Sequence, residues 1–289
     1  MAVLALTSAK GAPGVSTAAL AMTLLWPRPA LLVEADPAGS SVLAGYLRGT
    51  VDHSRGMLGL AMAHRHGELA EALWTQTVPL TPSAPGAQKR WLLPGISDAA
   101  QGASTAGLWG PLGALLAALD DDGVDVLIDA GRAGAAQPPT ALLRHADLVL
   151  LVLDTSLPAI AAARARLGLL AEELALASEA DSSQSRLRLL LIGEGRPYNA
   201  REVAAALGVP VLADLAWDPE NANVLTVGAS PGRRFDSSPL LRSARAAINS
   251  SRDLMADNRH RLLPPATDAT SMSGSHWPAE SVAGIRAGS

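Results

Sequence analysis

The chain has 289 residues and a mass of 29.6 kDa, and with 48% hydrophobic and only 17% charged residues it is suited to a sizeable core, not to disorder. One large domain is the first expectation and two small ones the alternative. The 23 Lys+Arg against 27 Asp+Glu, a net charge of -4 and a pI near 5.9 give no global attraction to phosphate backbones. A dedicated DNA-coating protein is thereby disfavoured, although a local basic patch stays open. The absence of cysteine rules out disulfides, thiol nucleophiles and thiolate metal sites, and it agrees with a reducing cytoplasm.

The apolar start, Met1 to Leu6, lacks a basic leader and runs into Thr7, Ser8 and Lys10, so it reads as a buried first strand and not as a signal peptide. Similar runs follow at Ala30–Val33, Arg90–Leu93, Val124–Ile128, Leu148–Leu153, Leu187–Ile192 and Val209–Leu212. They are nearly continuous, the pattern of parallel strands covered on both faces. Helical spacing fills the gaps, over Thr17–Leu25, Ser40–Leu47, Glu68–Trp74, Leu112–Leu119, Ile160–Leu176 and Arg201–Leu207. This alternation predicts an α/β domain built from βαβ units around a doubly wound sheet. Asp, Arg, Gly or Pro interrupts every long apolar stretch, so no membrane span of about 20 residues is expected.

The Pro- and Ala-rich segment Pro79–Lys89 reads as a loop, because a strand-like run follows it. A helix is predicted over Pro239–Ile248 with its cap at Ser237 or Ser238. The domain is placed at residues 1–250, with 251–289 as a C-terminal extension whose Pro/Ser-rich end from about Leu263 is expected to be mobile.

The most informative segment is Lys10-Gly11-Ala12-Pro13-Gly14-Val15-Ser16-Thr17, between the first strand and the first helix. Backbone N–H groups converge in such a loop and the helix N-terminus favours anions, so this is where a phosphate would bind. Gly11 and Gly14 permit close backbone approach, Ser16 offers a hydroxyl to Mg2+, and Thr17 opens the helix. The alternative is a glycine-proline turn with no ligand.

The loop resembles that of the MinD/ParA family of deviant Walker A P-loop ATPases, which runs Lys-Gly-Gly-x-Gly-Lys-Thr-Thr. The family's signature lysine falls on Lys10 and its second lysine on Val15. A charge-assisted hydrogen bond is worth about 1.5–3 kcal/mol, so this departure is expected to weaken nucleotide binding and to slow or abolish turnover.

Further segments carry the resemblance. Glu34-Ala35-Asp36-Pro37 is similar to the family's Asp-x-Asp, with Asp36 as the matching carboxylate; an acidic turn at a strand end is the plainer alternative. Asp125-Val126-Leu127-Ile128-Asp129-Ala130-Gly131 has the form of a Walker B strand, where Asp129 would hold Mg2+ through water. Arg132 stands just beyond, as either a phosphate-side charge or a surface arginine. The late segments Pro197–Val203, Leu207–Leu212 and Trp217-Asp218-Pro219 resemble MinD-like proteins, including the actinobacterial CpaE/TadZ-like branch of Tad pilus or secretion systems. Gly193-Glu194-Gly195-Arg196 replaces the family's adenine-reading Asn-Arg, which leaves the base to backbone groups or to Asp218-Pro219.

The resemblance implies a single P-loop NTPase domain with a mostly parallel seven- or eight-stranded sheet flanked by helices. It implies ATP and Mg2+ as ligands, bound by Gly11, Ala12, Pro13, Gly14, Val15, Ser16, Thr17, Asp218 and Pro219, with Ser16 and Asp129 at the metal and Lys10 and Asp36 as catalytic residues. The implied protein is a cytoplasmic homodimer that positions or assembles division, segregation or pilus/secretion machinery through a protein partner. Its alternative is a nucleotide-independent pseudo-ATPase scaffold. Non-specific DNA is not favoured as a partner; peripheral membrane contact stays open, although the charge of the last helix and the Pro-rich sequence beyond it do not make a convincing amphipathic anchor. His64 and His66 lack a third metal ligand, Asp120-Asp121-Asp122 reads as an acidic turn, and Met57–Ala61 with Leu69–Trp74 reads as an accessory helical pair that packs on the core. Arg233, Arg234, Arg242 and Arg245 read as a solvated face before a basic docking face.

Overall fold

The computed structural model describes residues 2–11, 14–51, 54–81, 86–135, 137–175 and 186–262. Eight strands form one sheet: β1 (Val3–Ser8), β2 (Ala30–Glu34), β3 (Val78–Pro79), β4 (Arg90–Leu93), β5 (Asp125–Arg132), β6 (Leu148–Asp154), β7 (Leu187–Ile192) and β8 (Val211–Leu215). Their spatial order is β3-β4-β2-β5-β1-β6-β7-β8, and every pairing is parallel except β3 with β4. The continuous apolar runs have the cause expected of them, since alternate residues of one strand enter two separate cores. Val3, Ala5, Val126, Ile128, Val149 and Leu151 face one layer. Leu4, Leu6, Leu127, Leu148 and Leu150 face the other.

The helices are α1 (Val15–Leu25), α2 (Met57–His66), α3 (Leu69–Leu73), α4 (Gly102–Thr105), α5 (Trp109–Ala118), α6 (Thr140–His145), α7 (Leu157–Ala175), α8 (Ala200–Leu207), α9 (Pro219–Thr226) and α10 (Pro239–Leu262). Residues of α2, α3, α5, α6 and α7 close the first layer, with Met57, Leu60, Ala61 and Leu73 buried as the accessory pair requires. Those of α1, α9 and α10 close the second. Asn199 and Glu202 form a reciprocal capping box on α8.

Several sequence expectations are corrected. Ser40–Leu47 is no helix but a run of turns over Val42–Gly49. Gly45 N–H donates to Ser41, Leu47 N–H to Val42 and Gly49 N–H to Leu43, a mixture of spacings that cannot propagate a helix. A Cβ on Gly45 would stand 2.1 Å from the Thr226 carbonyl oxygen, so this segment is shaped by close backbone docking on the end of α9. The last strand runs Val211–Leu215, two residues later than expected at its start. The edge strand Val78–Pro79 and the full length of α10 were not foreseen. Serine 238 does supply the cap, its Oγ accepting from Leu241 N–H at 3.3 Å, but the helix continues to Leu262 with Met255 buried at its inner face. It therefore passes unbroken through the expected boundary at residue 250, and the end expected to be mobile, from Leu263, lies outside the described residues.

At the N-terminal edge of the sheet, Asp125 gathers three segments. Its carboxylate accepts from Ala2 N–H at 2.8 Å and from the Trp26 indole N–H at 2.7 Å, and it pairs with Arg28 at 3.3 Å. Asp125 thus belongs to the framework, at the sheet edge opposite Asp129.

Candidate functional site

Parallel strands deliver their last residues to one edge, and the register makes that edge specific. Leu6 and Glu34 both lie beside Asp129, on either side of β5. The β1–β5 register then slips between Leu6 and Ser8, so Ser8 pairs with Arg132. Gly131 takes φ 58°, and a Cβ there would lie 2.1 Å from Cγ of Asp36. Only glycine lets Asp36 come that close.

Of the loop after β1, Lys10 and Gly11 are exposed, and Ala12 and Pro13 lie outside the described residues. Gly14 adopts a left-handed conformation (φ 92°, ψ 30°) immediately before α1, and no side chain caps that helix. The first N–H groups of α1 therefore face the sheet edge without an internal partner. Val15 is only 7% exposed and sits in the apolar layer, so it puts no charge into the site.

The three carboxylates of the edge differ. Asp129 is buried; desolvation pushes it up to about 6, aided by the charge of Asp36, while the Ser16 hydroxyl and the Gly131 N–H, at 3.0 Å, act to lower it. Burial pushes Glu34 up to about 7, with Asp129 adding to the rise and the N–H groups of Val42, Ser41 and Gly95 opposing it. Glu34 Oε1 accepts from Ser41 at 2.8 Å and Val42 at 3.0 Å, while Oε2 is buried without a partner among the described residues. Asp36 is half-buried and accepts from Ala38 N–H at 2.8 Å. Glu34 thus holds the loop after β2, while Asp36 and Asp129 stand near the mouth of α1.

A cavity of about 250 Å³ opens there, lined by Gly11, Gly14, Ser16, Thr17, Asp36 and Arg132 among others. Lys10 instead lines a neighbouring cavity of about 100 Å³ with Asp154 and Ala159. A third cavity, again of about 250 Å³, shares Gly14 and Thr17 with the first and extends over Ile192, Trp217, Asn223 and Thr226. Asp218 and Pro219 line it as well. The Asp218 carboxylate is already occupied, however, accepting from both the amide and side chain of Asn221 and from Leu240 N–H. It shapes this cavity by capping α9, and its oxygens are committed to that task.

Trp217, 56% exposed, was missed as a cavity residue, as were Ile192 and Asn223. The only sequence signal was an apolar aromatic next to Asp-Pro just after a strand. Gly193 (φ 70°) makes room for it, since a Cβ there would lie 3.1 Å from Cβ of Trp217, and the Arg196 guanidinium stands 5.9 Å from the indole centroid.

The donors beside α1 are all oxygens, a hydroxyl and carboxylates, which suit a hard divalent cation. Among the described residues no group of three or more His, Asp or Glu could hold a metal by itself. The set fits Mg2+ that takes further oxygens from a bound phosphate. No described helix is long and apolar enough to cross a membrane.

No protein-family model matches the sequence, and no curated protein matches it. Solved structures do match. A ParA family ATPase from Chlorobium tepidum superposes with a TM-score of 0.62 at 15% identity, over 86% of this chain and 98% of that one. The septum site-determining protein MinD of Pyrococcus horikoshii, complexed with Mg-ADP, gives 0.62 at 16% identity, over 89% and 98% of the two chains. A chain of the MinC:MinD cell division protein complex of Aquifex aeolicus gives 0.59 at 15%, over 89% and 96%. The eight-stranded, mostly parallel sheet with helices on both faces is thus the fold of the MinD/ParA P-loop ATPases.

Proposed function

We propose that this chain binds ATP with Mg2+ and acts as a dimeric positioning or assembly factor, with weak or absent hydrolysis. One observation carries the reading: two cavities meet at Gly14 and Thr17, one running to Asp36 and Ser16 and the other to Trp217 and Asn223. Together they offer a polar end beside a helix N-terminus and an apolar end of aromatic and aliphatic groups, the two chemistries of a nucleotide. The loop Gly11–Thr17, including Ala12 and Pro13, would hold the phosphates. Ser16 and Asp129 would hold Mg2+, and Asp36 would orient a water. The base would lie over Trp217, beside Pro219. The metal would screen phosphate charge from the carboxylates.

Lys10, exposed and outside the phosphate cavity, would meet a second copy of the chain. A MinD in complex with MinC lends support to a protein partner in division, segregation or pilus/secretion machinery. The buried, uncharged Val15 favours a second reading, a scaffold of the same fold that works without nucleotide.

Calorimetric titration with ATP, with and without Mg2+, separates the two. Binding at roughly micromolar to tens of micromolar that strengthens with Mg2+ is expected for the switch. No heat at millimolar ATP makes the scaffold the correct account.

A further inference from the structure

We infer that Arg132 is the phosphate-anchoring cation of the candidate nucleotide site, in place of the charge that Val15 does not supply; this rests on the nucleotide reading above. Four observations converge on it.

First, Arg132 is the one cationic residue in the wall of the cavity beside α1. Lys10 opens onto a different cavity, and Val15 is buried in the apolar layer. Second, the slip in register between Leu6 and Ser8 pairs Arg132 with Ser8, at the start of the loop itself. Third, the backbone is held in that place: Ala133 N–H donates to Ser8 at 2.8 Å, Thr7 Oγ1 donates to the Gly131 carbonyl at 3.1 Å, and Gly131 N–H donates to Asp129 at 3.0 Å. Fourth, Arg132 is an exposed residue and its guanidinium makes no hydrogen bond or ion pair among the described residues, in contrast to Arg28, Arg90 and Arg166, whose guanidinium groups are all engaged. It carries an uncommitted, permanently charged fork on a rigid strand end.

Electrostatics favours the assignment. Asp36 lines the same cavity and Asp129 lies beneath it, so a polyphosphate entering there meets like charge. Helix amides supply only a partial positive charge. Arg132 can donate two parallel N–H bonds to phosphate oxygens, which a lysine in its place would not reproduce.

The test is calorimetry on the full chain with Mg-ATP, Mg-ADP and adenosine as probes, for the wild type, Arg132→Gln, Arg132→Lys and the distant surface control Arg201→Gln. The proposal expects Arg132→Gln to lose about 10- to 100-fold in affinity for ATP and ADP, with adenosine unchanged. Arg132→Lys should recover part of that loss, and Arg201→Gln should match the wild type. If the wild type binds ATP and Arg132→Gln binds it equally well, the nucleotide reading stands and the role of Arg132 falls. Equal losses for ATP and adenosine would show a folding defect and also overturn the role. If the wild type binds none of the probes, the nucleotide reading itself fails and the proposal with it.

Discussion

The Glu34 carboxyl takes two backbone N–H bonds through one oxygen and buries the other without a partner, which is why burial raises it from 4.5 to about 7. A carboxyl raised on folding binds its proton more tightly in the native state than in the unfolded one. Its contribution is therefore complete below pH 4.5 and is lost as pH rises through about 7. The shift corresponds to a loss of about 3 kcal/mol. Asp129 acts in the same direction over the window from 3.8 to about 6. Glu34→Gln stays neutral throughout, so urea denaturation at pH 4 to 8 should show its decline in stability smaller than that of the wild type by about 3 kcal/mol. Parallel profiles for the two proteins would show that Glu34 is already ionised in the fold. Much of this edge was legible as residues: Ser16, Asp36 and Asp129 were singled out by the resemblance of their segments to family motifs, and they lie together at this edge. The difference between Glu34 and Asp36 was not legible, because it depends on which of them the turns after β2 fold over.

Among the elements, Asp125 shows how a carboxylate four residues from Asp129 can serve a wholly different purpose. It joins the beginning of β1, the end of α1 through Trp26, and Arg28 before β2. Arg90 adds to the same knot, donating to the carbonyls of Trp26 and, at 2.9 Å, of Arg28. Asp125→Ala leaves the buried Trp26 indole N–H and Ala2 N–H without acceptors and should cost about 2–4 kcal/mol in urea denaturation. A loss below 0.5 kcal/mol would mean that water replaces the carboxylate. Strands were easy to read where burial on both faces made the runs continuous. The two-residue β3 offered too little pattern, and the run at Val209 shifted because Pro210 has no N–H to give a neighbour. The turns at 42–49 carried helical spacing in sequence, but Arg48 (φ 52°) and Gly49 (φ 65°) turn the chain out of it.

For the whole molecule, the contact of Gly45 with Thr226 joins the loop that follows Glu34 and Asp36 to the end of α9, whose Thr226 lines the cavity beside Trp217. Gly45→Ala drives a methyl group into backbone and cannot be relieved by a side-chain rotation. It should lower stability by about 1–3 kcal/mol in urea denaturation and slow the exchange of neither β1 nor β5 amides, while α9 amides exchange faster. Unchanged protection of α9 would show that the loop yields instead. The far wall of this cavity was beyond sequence reading because the ends of β7 and β8, the helix α9 and Leu240 of α10 form it together, and none of them carries a motif by itself.

The strand order also governs how the chain can fold as it emerges from the ribosome. Strand β1 is made before both its neighbours, β5 and β6, which begin only at Asp125 and Leu148. For more than a hundred residues of synthesis its backbone ladder has nothing native to pair with, and β2 can pair only with β4 in the meantime. Contacts so distant in sequence close late and slowly. Strand β1 is therefore secured only once β5 has been made, and until then a nascent chain leaves its ladder unpaired.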